Sequence, residues 1–356
     1  MEYIRKKKAY QKRSFKPLLI KKNKDKYKKY IQFNNKKKNY SFLFSKSLIL
    51  KLITIFIFFI IFFIVFHKFY NNNNKKNVNK PKIKVAMCSI IRRENRYIKY
   101  FIDFYKKLGY NHIYLYDHND SGDEVLEDVQ IIKDGVKDGF ITIIDFKDKP
   151  GYPQLDAYFS CLASYSTQYD WISFFDVDEY LILEPKDISI QEFLSNPRFN
   201  NCDNIKINWK VFTDNEQLEY QEGSLIERFP IPTTYYYEER HVKSIVRGGL
   251  DYSKFKKSFN PHCFWTDIKT CTSSGKPSDG NYYHWPPDRE FATLNHYVTK
   301  SVREFFEKKY KSKDGVDVEK IPMETKNYLF NYFFSVNKKT KEKVDIFNQI
   351  YHTNYQ

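Results

Sequence analysis

Three carboxylates follow an apolar run in the middle of the chain, where Asp176, Asp178 and Glu179 come directly after Trp171–Phe175. A buried strand that ends in acids delivers them to the carboxyl edge of its sheet, where open α/β sheets bind ligands. In a fully extended chain Asp176 and Asp178 point to the same side. Both can then face one hard cation and leave room for the oxygens of a diphosphate. A solvated strand end is the alternative, but close acids repel one another unless a cation compensates them.

Alternating strand and helix patterns precede these acids. Strand patterns occupy 82–91, 112–117 and 140–146, and a helix over 154–169 leads into the acidic strand. The helix predicted over 93–109 ends at Gly109 and places apolar side chains on one face, namely Tyr97, Ile98, Phe101, Ile102 and Tyr105. These βα units predict an α/β domain with a mainly parallel sheet. The chain has no GxGxxG or Walker pattern, which argues against dinucleotide oxidoreductases and P-loop enzymes.

The half of the chain after Leu183 has weaker periodicity. Strand patterns recur at 204–212 and 241–247, separated by turn-rich connections. From Thr299 the pattern becomes helical, with an amphipathic segment at 301–310 and two further helices predicted to end at Tyr351.

The basic character of the chain is confined to its N-terminus. The net charge is +17, but residues 1–46 contain 17 Lys and Arg against Glu2 and Asp25, so the rest is nearly neutral. A nucleic-acid-binding domain is therefore not expected. The tail could bind anionic lipid or nucleic acid, but a membrane-topology signal explains it more simply.

An apolar run of 19 residues, Leu48–Phe66, follows the basic tail and is interrupted only by Lys51 and Thr54. Its helical length of about 28 Å matches a bilayer core, and Lys51 can snorkel to the interface. We predict a basic cytoplasmic tail (1–46), a transmembrane anchor (47–67), a stem (68–81) and a catalytic domain (82–356). The expected topology is single-pass type II, with the domain in the lumen of a Golgi- or ER-like membrane.

The five cysteines lack the spacing of a zinc site, and all of them follow the apolar run. In a lumenal domain Cys263 and Cys271 are a possible disulfide. The odd number leaves at least one cysteine outside any intramolecular disulfide.

Six short motifs occur between about Lys82 and Lys309, over nearly the whole domain. They are Arg92-Arg93-Glu94, Leu108-Gly109, Asp117-His118-Asn119 with Ser121 and Asp123, Asp176-Val177-Asp178-Glu179, Trp209-Lys210-Val211-Phe212, and His296-Tyr297-Val298-Thr299-Lys300-Ser301. In this order they resemble the motifs of GT-A glycosyltransferases, close to the family 2-like and family 92 enzymes. The resemblance implies a GT-A fold with a Rossmann-like, mainly parallel sheet. Two motifs depart from the family pattern, because Arg92-Arg93 replaces Lys-Asn and Thr213 replaces a Gly.

The resemblance implies transfer of a sugar from a nucleotide-sugar donor, a UDP-sugar above others, to a hydroxyl of a glycan, glycoprotein or glycolipid. It also implies a divalent metal, Mn²⁺ rather than Mg²⁺, that stabilises the departing diphosphate. The implied metal ligands are Asp176, Asp178 and His296, and Glu179 joins the two aspartates as a catalytic candidate. The expected donor-binding residues are Arg92, Glu94, Asp117, Gln154, Lys243 and Lys300.

The stereochemical course is expected to be inverting, which requires a carboxylate base near the acceptor hydroxyl. Several residues qualify by type: Glu179, Glu227, Glu239 and Asp288. Two alternative hypotheses are a metal-dependent nucleotidyltransferase or hydrolase that uses the same acids, and a non-catalytic membrane tether. Structural roles also compete for single residues, because Asp117 could cap a turn and Glu94 could favour a helix dipole.

Overall fold

The computed structural model describes residues 46–76, 83–120, 124–234, 237–254, 260–263, 267–310 and 320–356. The chain divides into two units, residues 1–80 and 81–356. In the first unit, helix α1 spans Lys46–Lys76, so the start of the predicted stem is helical. The predicted basic tail lies outside the described residues except for Lys46. No helix in the described part of the chain is both long and apolar enough to cross a membrane, so the anchor stays a prediction.

The second unit is a mixed α/β fold built around one large sheet. Its strands are β1 Val85–Ile91, β2 His112–Asp117, β3 Ile141–Asp145, β4 Trp171–Phe174, β5 Glu179–Leu183, β6 Asn204–Val211, β7 Val242–Arg247, β8 Thr270–Thr272, β9 Pro277–Ser278 and β10 Ala292–His296. Its helices are α2 Asn95–Leu108, α3 Gln130–Lys137, α4 Pro153–Tyr165, α5 Ile190–Leu194, α6 Leu225–Arg228, α7 Val302–Tyr310, α8 Met323–Val336 and α9 Lys341–Tyr351.

The order of strands across the sheet is β3-β2-β1-β4-β7-β6-β10-β5, with β8 paired to β6 and β9 paired to β8. The first four strands in this order are parallel, as the sequence predicts. Beyond β4 the sheet is mixed, because β7 pairs antiparallel with both β4 and β6. The carboxyl ends of β1, β2 and β4 therefore meet at one edge, while β7 brings its own residues alongside β4.

Helix α2 confirms the periodicity read from the sequence. The five side chains predicted on its apolar face are all buried. The helix ends at Gly109, whose φ of 100° is left-handed and whose N–H donates to the carbonyls of Lys106 and Tyr105. This packing holds α2 against the sheet. It also places Glu94, the residue directly before the helix, near the acidic segment.

The acidic segment is a turn, and the expectation of an extended chain is wrong. Strand β4 ends at Phe174, and β5 begins at Glu179 and pairs with β10 instead of continuing the central strand. The turn is closed by the N–H of Glu179, which donates to the carbonyl of Asp176 at 3.0 Å. Asp176 and Asp178 consequently meet different partners on the two sides of this turn.

The last three helices form an aromatic cluster at the C-terminal end of the domain. Phe305 and Phe306 of α7 pack with Phe330 and Phe333 of α8 and with Phe347 of α9. The sequence predicts all three helices. Their packing orients α7 so that its C-terminal half reaches the acidic turn.

The disulfide pairing differs from the one considered from sequence. Cys271 bonds to Cys202, and Cys88 bonds to Cys161. The reason is that β8 pairs with β6, so Cys271 lies opposite Ile205, next to the segment that contains Cys202. Cys263 belongs to neither bond, and its sulfur accepts a hydrogen bond from Asn204 at 3.7 Å.

A close backbone approach at the end of β7 fixes the register between β7 and β4. The N–H of Gly248 donates to the carbonyl of Asp170 at 2.8 Å. A Cβ on Gly248 would lie 1.8 Å from the carbonyl oxygen of Tyr169 and 2.6 Å from that of Ser166. Only glycine fits there without moving the backbone.

We therefore expect Gly248→Ala to lower the free energy of unfolding by about 3 kcal/mol, because the backbone must separate to admit the methyl group. Gly249→Ala is the control. Its Cβ would meet open space and its φ is +71°, so only the left-handed backbone costs energy, about 1 kcal/mol. Equal losses in urea unfolding of the two variants would contradict the close approach.

Candidate functional site

Asp176 is the more accessible of the two aspartates, with 29% of its side chain exposed. Its Oδ2 accepts from the Nζ of Lys243 at 2.9 Å. Its Oδ1 accepts from the amide of Gln154 at 2.7 Å and from the hydroxyl of Tyr158 at 3.1 Å. Burial opposes ionisation, but the Lys243 ammonium outweighs it and lowers the pKa of Asp176. Helix α4 and strand β7 thus hold this carboxylate as an anion at the mouth of the site.

Asp178 is almost completely buried, with 1% of its side chain exposed. Its Oδ2 accepts from two ammonium groups, Lys300 Nζ at 2.7 Å and Lys308 Nζ at 2.5 Å. Burial raises the pKa of Asp178, but these two lysines outweigh it and hold that pKa well below the usual range. Its Oδ1 has no hydrogen-bond partner among the described residues and lies 3.6 Å from His296 Nε2.

Glu179 is fully buried and supports the turn from behind. One of its carboxylate oxygens accepts from the indole N–H of Trp209 at 2.8 Å, and the other accepts from the backbone N–H of Asp176 at 2.9 Å. Burial raises the pKa of Glu179 well above its ordinary value, despite Lys243 at 3.7 Å. These contacts describe a positioning residue, because Glu179 connects β6 to the acidic turn and has no exposed surface.

Three histidines surround the indole of Trp209. The ring centroids of His296, His241 and His262 lie 4.1, 4.9 and 5.0 Å from that of Trp209. Burial lowers the pKa of His296 and of His262 to about 3, and it also lowers that of His241. All three imidazoles are therefore neutral at physiological pH, which is the form that can ligate a metal.

Glu94 lies on the far side of Asp178, at the N-terminus of α2. Its Oε1 is 3.2 Å from Lys308 Nζ and 3.9 Å from Lys300 Nζ. Burial raises its pKa. A cavity of about 90 Å³ adjoins this group, and its lining is entirely polar or aromatic: Arg93, Glu94, Arg96, Tyr97, Glu124, Lys300, Glu304, Glu307 and Lys308.

Asp117 and Arg92 belong to a neighbouring cluster at the ends of β1 and β2. Asp117 is fully buried, and its Oδ1 accepts from the side chain and the N–H of Asn119 at 2.7 and 3.1 Å. Its Oδ2 lies 3.4 Å from the Nζ of Lys147. Arg92 is half exposed and pairs with Asp120 at 2.7 Å. In these contacts, neither Asp117 nor Arg92, both predicted to bind the donor, touches the acidic turn.

The remaining candidate bases occupy different environments. Glu227 is exposed and bonds the hydroxyl of Ser224 at 2.8 Å. Glu239 is buried and pairs with Arg289 at 2.7 Å. Asp288 accepts from the hydroxyl of Thr272 at 2.5 Å and lines a second cavity, of about 440 Å³. The contacts of Glu227 are those of a helix cap, and Glu239 and Asp288 are each held by a firm partner.

The structure thus brings together most of the predicted site. Gln154 and Lys243 contact Asp176, and Lys300 contacts Asp178. His296 lies 3.6 Å from Asp178, and Glu94 pairs with the same two lysines as Asp178. Two contacting residues were missed, Lys308 and Tyr158. No sequence signal marks either one. Each lies on an ordinary helix and contacts an acid that is far from it in the sequence.

The side chains at the turn supply some of the ligand atoms that a hard cation needs. The buried Asp178 Oδ1 without a hydrogen bond and the neutral His296 are an oxygen and a nitrogen donor close together. However, no group of three His, Cys, Asp or Glu side chains in the described ranges is arranged to hold a metal ion. The metal-ligand assignment to Asp176, Asp178 and His296 therefore stays a prediction.

Comparison with known sequences identifies one family. The profile of glycosyltransferase family 92 matches residues 82–354. No curated protein matches the chain.

Comparison with solved structures gives several distant likenesses. S. aureus TarS 1-349 has 12% identity and a TM-score of 0.35, over 76% of this chain and 69% of TarS 1-349. A second S. aureus TarS structure has 13% identity and a TM-score of 0.34, over 75% of this chain and 49% of TarS. The mannosyltransferase PcManGT from Pyrobaculum calidifontis, solved with GDP-Man and Mn²⁺, has 10% identity and a TM-score of 0.26, over 40% of this chain and 43% of PcManGT.

The low pKa of His262 predicts a pH-dependent stability. Its Nδ1–H donates to the carbonyl of Val242 at 3.0 Å, and its folded pKa of about 3 lies below the usual value of about 6.5. As the pH falls below that usual value, the unfolded chain binds a proton that the folded chain does not bind, so stability decreases. This residue alone should remove about 2 kcal/mol between pH 6.5 and pH 5.

We therefore expect His262→Gln to lose less stability than the wild type between pH 7 and pH 5, by about 2 kcal/mol. The measurement is the free energy of unfolding in urea at both pH values. Parallel losses in the two proteins would show that His262 titrates normally in the folded state.

Proposed function

The chain belongs to glycosyltransferase family 92, and from that premise we propose that this glycosyltransferase moves a sugar, of hexose type, from a nucleotide-sugar donor to a hydroxyl of a glycan or glycoconjugate. We further propose that the transfer depends on a divalent cation, Mn²⁺ rather than Mg²⁺, and inverts the anomeric centre. The observation that carries this proposal is the buried Asp178 oxygen that faces a neutral His296 at the carboxyl edge of the sheet.

In this proposal Asp178, His296 and the accessible Asp176 would hold the cation. When bound, the cation stabilises the negative charge that develops on the departing nucleoside diphosphate. Lys243 and Lys300 place two further positive charges at the same turn. Gln154 and Tyr158 fix the orientation of Asp176, and Glu179 fixes the backbone between the acids. The chain's own residues thus supply a preorganised electrostatic site for the leaving group.

The donor is proposed to be a UDP-sugar, with its nucleotide near Asp117, Arg92 and Glu94. Asp117 ends β2, next to the β1 end that precedes Glu94, so this cluster borders the same edge of the sheet. For the inverting step we favour Asp288 among the candidate bases, because it lines a cavity, whereas Glu179 and Glu239 are buried and Glu227 caps its helix. No separate observation favours the nucleotidyltransferase, hydrolase or tether hypothesis.

We also propose that the enzyme is a single-pass type II protein of a Golgi- or ER-like membrane with its domain in the lumen. Support comes from the apolar run Leu48–Phe66 after a strongly basic tail. Large apolar side chains from Ile55 to Phe66 are exposed along α1, which suits an apolar surrounding.

The central test compares carboxamide variants at the acidic turn. We expect Asp178→Asn to lower sugar transfer at least 100-fold in the protein that folds, because it removes the charge at the leaving group. It should also lower the free energy of unfolding by about 3 kcal/mol, because the buried Lys300 ammonium loses its closest anionic partner. Glu179→Gln should retain activity within about tenfold, because an amide oxygen can still accept from Trp209 or from the Asp176 N–H.

The assay is a screen of nucleotide sugars for donor hydrolysis and transfer, with Mn²⁺, with Mg²⁺ and with chelator, and with thermal unfolding as the folding control. Full activity in chelator would defeat the metal dependence. Nucleotide turnover without sugar transfer would favour the nucleotidyltransferase or hydrolase. No turnover of any nucleotide sugar, together with a cellular function that survives both aspartate substitutions but is lost when residues 1–46 are deleted, would favour the tether.

A further inference from the structure

Lys308 is the least expected member of the acidic site. It lies near the C-terminal end of α7, and its Nζ is 2.5 Å from Asp178 Oδ2 and 3.2 Å from Glu94 Oε1. Nothing in the motifs of the sequence assigns it a role. It nevertheless makes the shortest ion pair that the aspartate has among the described residues.

Two ammonium groups share one carboxylate oxygen here, and they differ in freedom. The Lys300 side chain is 2% exposed and lies over the ring of Tyr97 at 5.1 Å, so it is enclosed. The Lys308 side chain is 36% exposed and hangs on a flexible four-carbon stem from the surface of a helix. Lys308 is therefore the cation that can leave Asp178 without a rearrangement of the core.

The position of Lys308 conflicts with a second cation at Asp178. An ammonium and a divalent cation on one small carboxylate repel each other strongly in a buried site. A metal ion that arrives alone must therefore displace Lys308 and leave that ammonium without its partner. A metal ion that arrives with a diphosphate provides a new anionic partner for the displaced ammonium.

Resting on the proposed function, we propose that Lys308 is a diphosphate-binding residue that serves as an internal counter-cation for Asp178 until donor binds. In the ligand-free protein it neutralises the aspartate. In the donor complex the Lys308 side chain turns outward and contacts the diphosphate. The Asp178 carboxylate then faces the metal instead of Lys308. Lys308 thus disfavours metal alone and favours metal together with diphosphate, which makes the binding of the two cooperative.

Lys308→Met tests this proposal, because methionine keeps much of the apolar stem and removes the charge. Lys107→Met is the control, since it removes the same charge from an exposed position near the C-terminal end of another helix, α2. All proteins are full-length, so the basic N-terminal tail contributes equally to each measurement. The probes are Mn²⁺ alone, measured by electron paramagnetic resonance, and the preformed Mn²⁺ complex of inorganic pyrophosphate, measured by calorimetry.

We expect Lys308→Met to bind Mn²⁺ alone about tenfold more tightly than the wild type and to bind Mn²⁺-pyrophosphate about tenfold more weakly, each equivalent to about 1.4 kcal/mol. Lys107→Met should stay within about twofold of the wild type for both probes. Lys308→Arg should restore pyrophosphate binding, because it restores the charge.

The opposite shifts separate this role from a structural one. If Lys308 only secured α7, its loss would weaken both probes together, and that result would overturn the inference, as would unchanged affinities for both. In either case normal binding of Mn²⁺-pyrophosphate by the wild type would leave the proposed function intact. If neither the wild type nor Lys308→Met binds either probe, the metal-dependent transferase fails as well.

Discussion

The structure depends on the compensation of buried carboxylates at the end of the central strand. An unpaired ionised side chain in such a place costs several kcal/mol. The positive charges come from three separate elements, since Lys243 is on β7, Lys300 is in the turn before α7, and Lys308 is on α7. Each of these elements must therefore be in place before the acidic turn can be buried. The site and the folded second half of the domain stabilise each other.

This requirement gives a physical reason for the mixed half of the sheet. Strand β7 runs antiparallel between β4 and β6, which places Lys243 beside the Asp176 end of the turn. Strand β6 provides Trp209, whose indole N–H holds Glu179. A purely parallel arrangement after β4 would need further helical crossovers. Antiparallel strands bring the lysine and the tryptophan to the acids over a shorter length of chain.

The sequence predicts what is local and misses what is distant. The helix around Phe101 and the strands β1 to β4, β6 and β7 are read correctly, because their periodicities are properties of neighbouring residues. The separate strand β5 and the strands β8, β9 and β10 are not predicted. The pairing of Cys202 with Cys271 depends on β8 lying beside β6, and the contact of Lys308 with Asp178 spans 130 positions. No spacing rule encodes such contacts. The extended geometry assumed for the two aspartates is wrong because the chain must turn to begin β5.

The charge balance of the site explains what kind of ligand it can accept. At the turn, the described residues place four acids, Asp176, Asp178, Glu94 and Glu179, against three lysines, and burial raises the pKa of Glu94 and Glu179. The charges of the ligand-free site therefore nearly cancel. A metal ion alone would add excess positive charge, and a bare diphosphate would face Asp176 and Asp178 without a bridging cation. A complex of the two is nearly neutral. It can place its cation against the aspartates and its diphosphate against the lysines. Such a site discriminates by the distribution of charge within its ligand as well as by total charge.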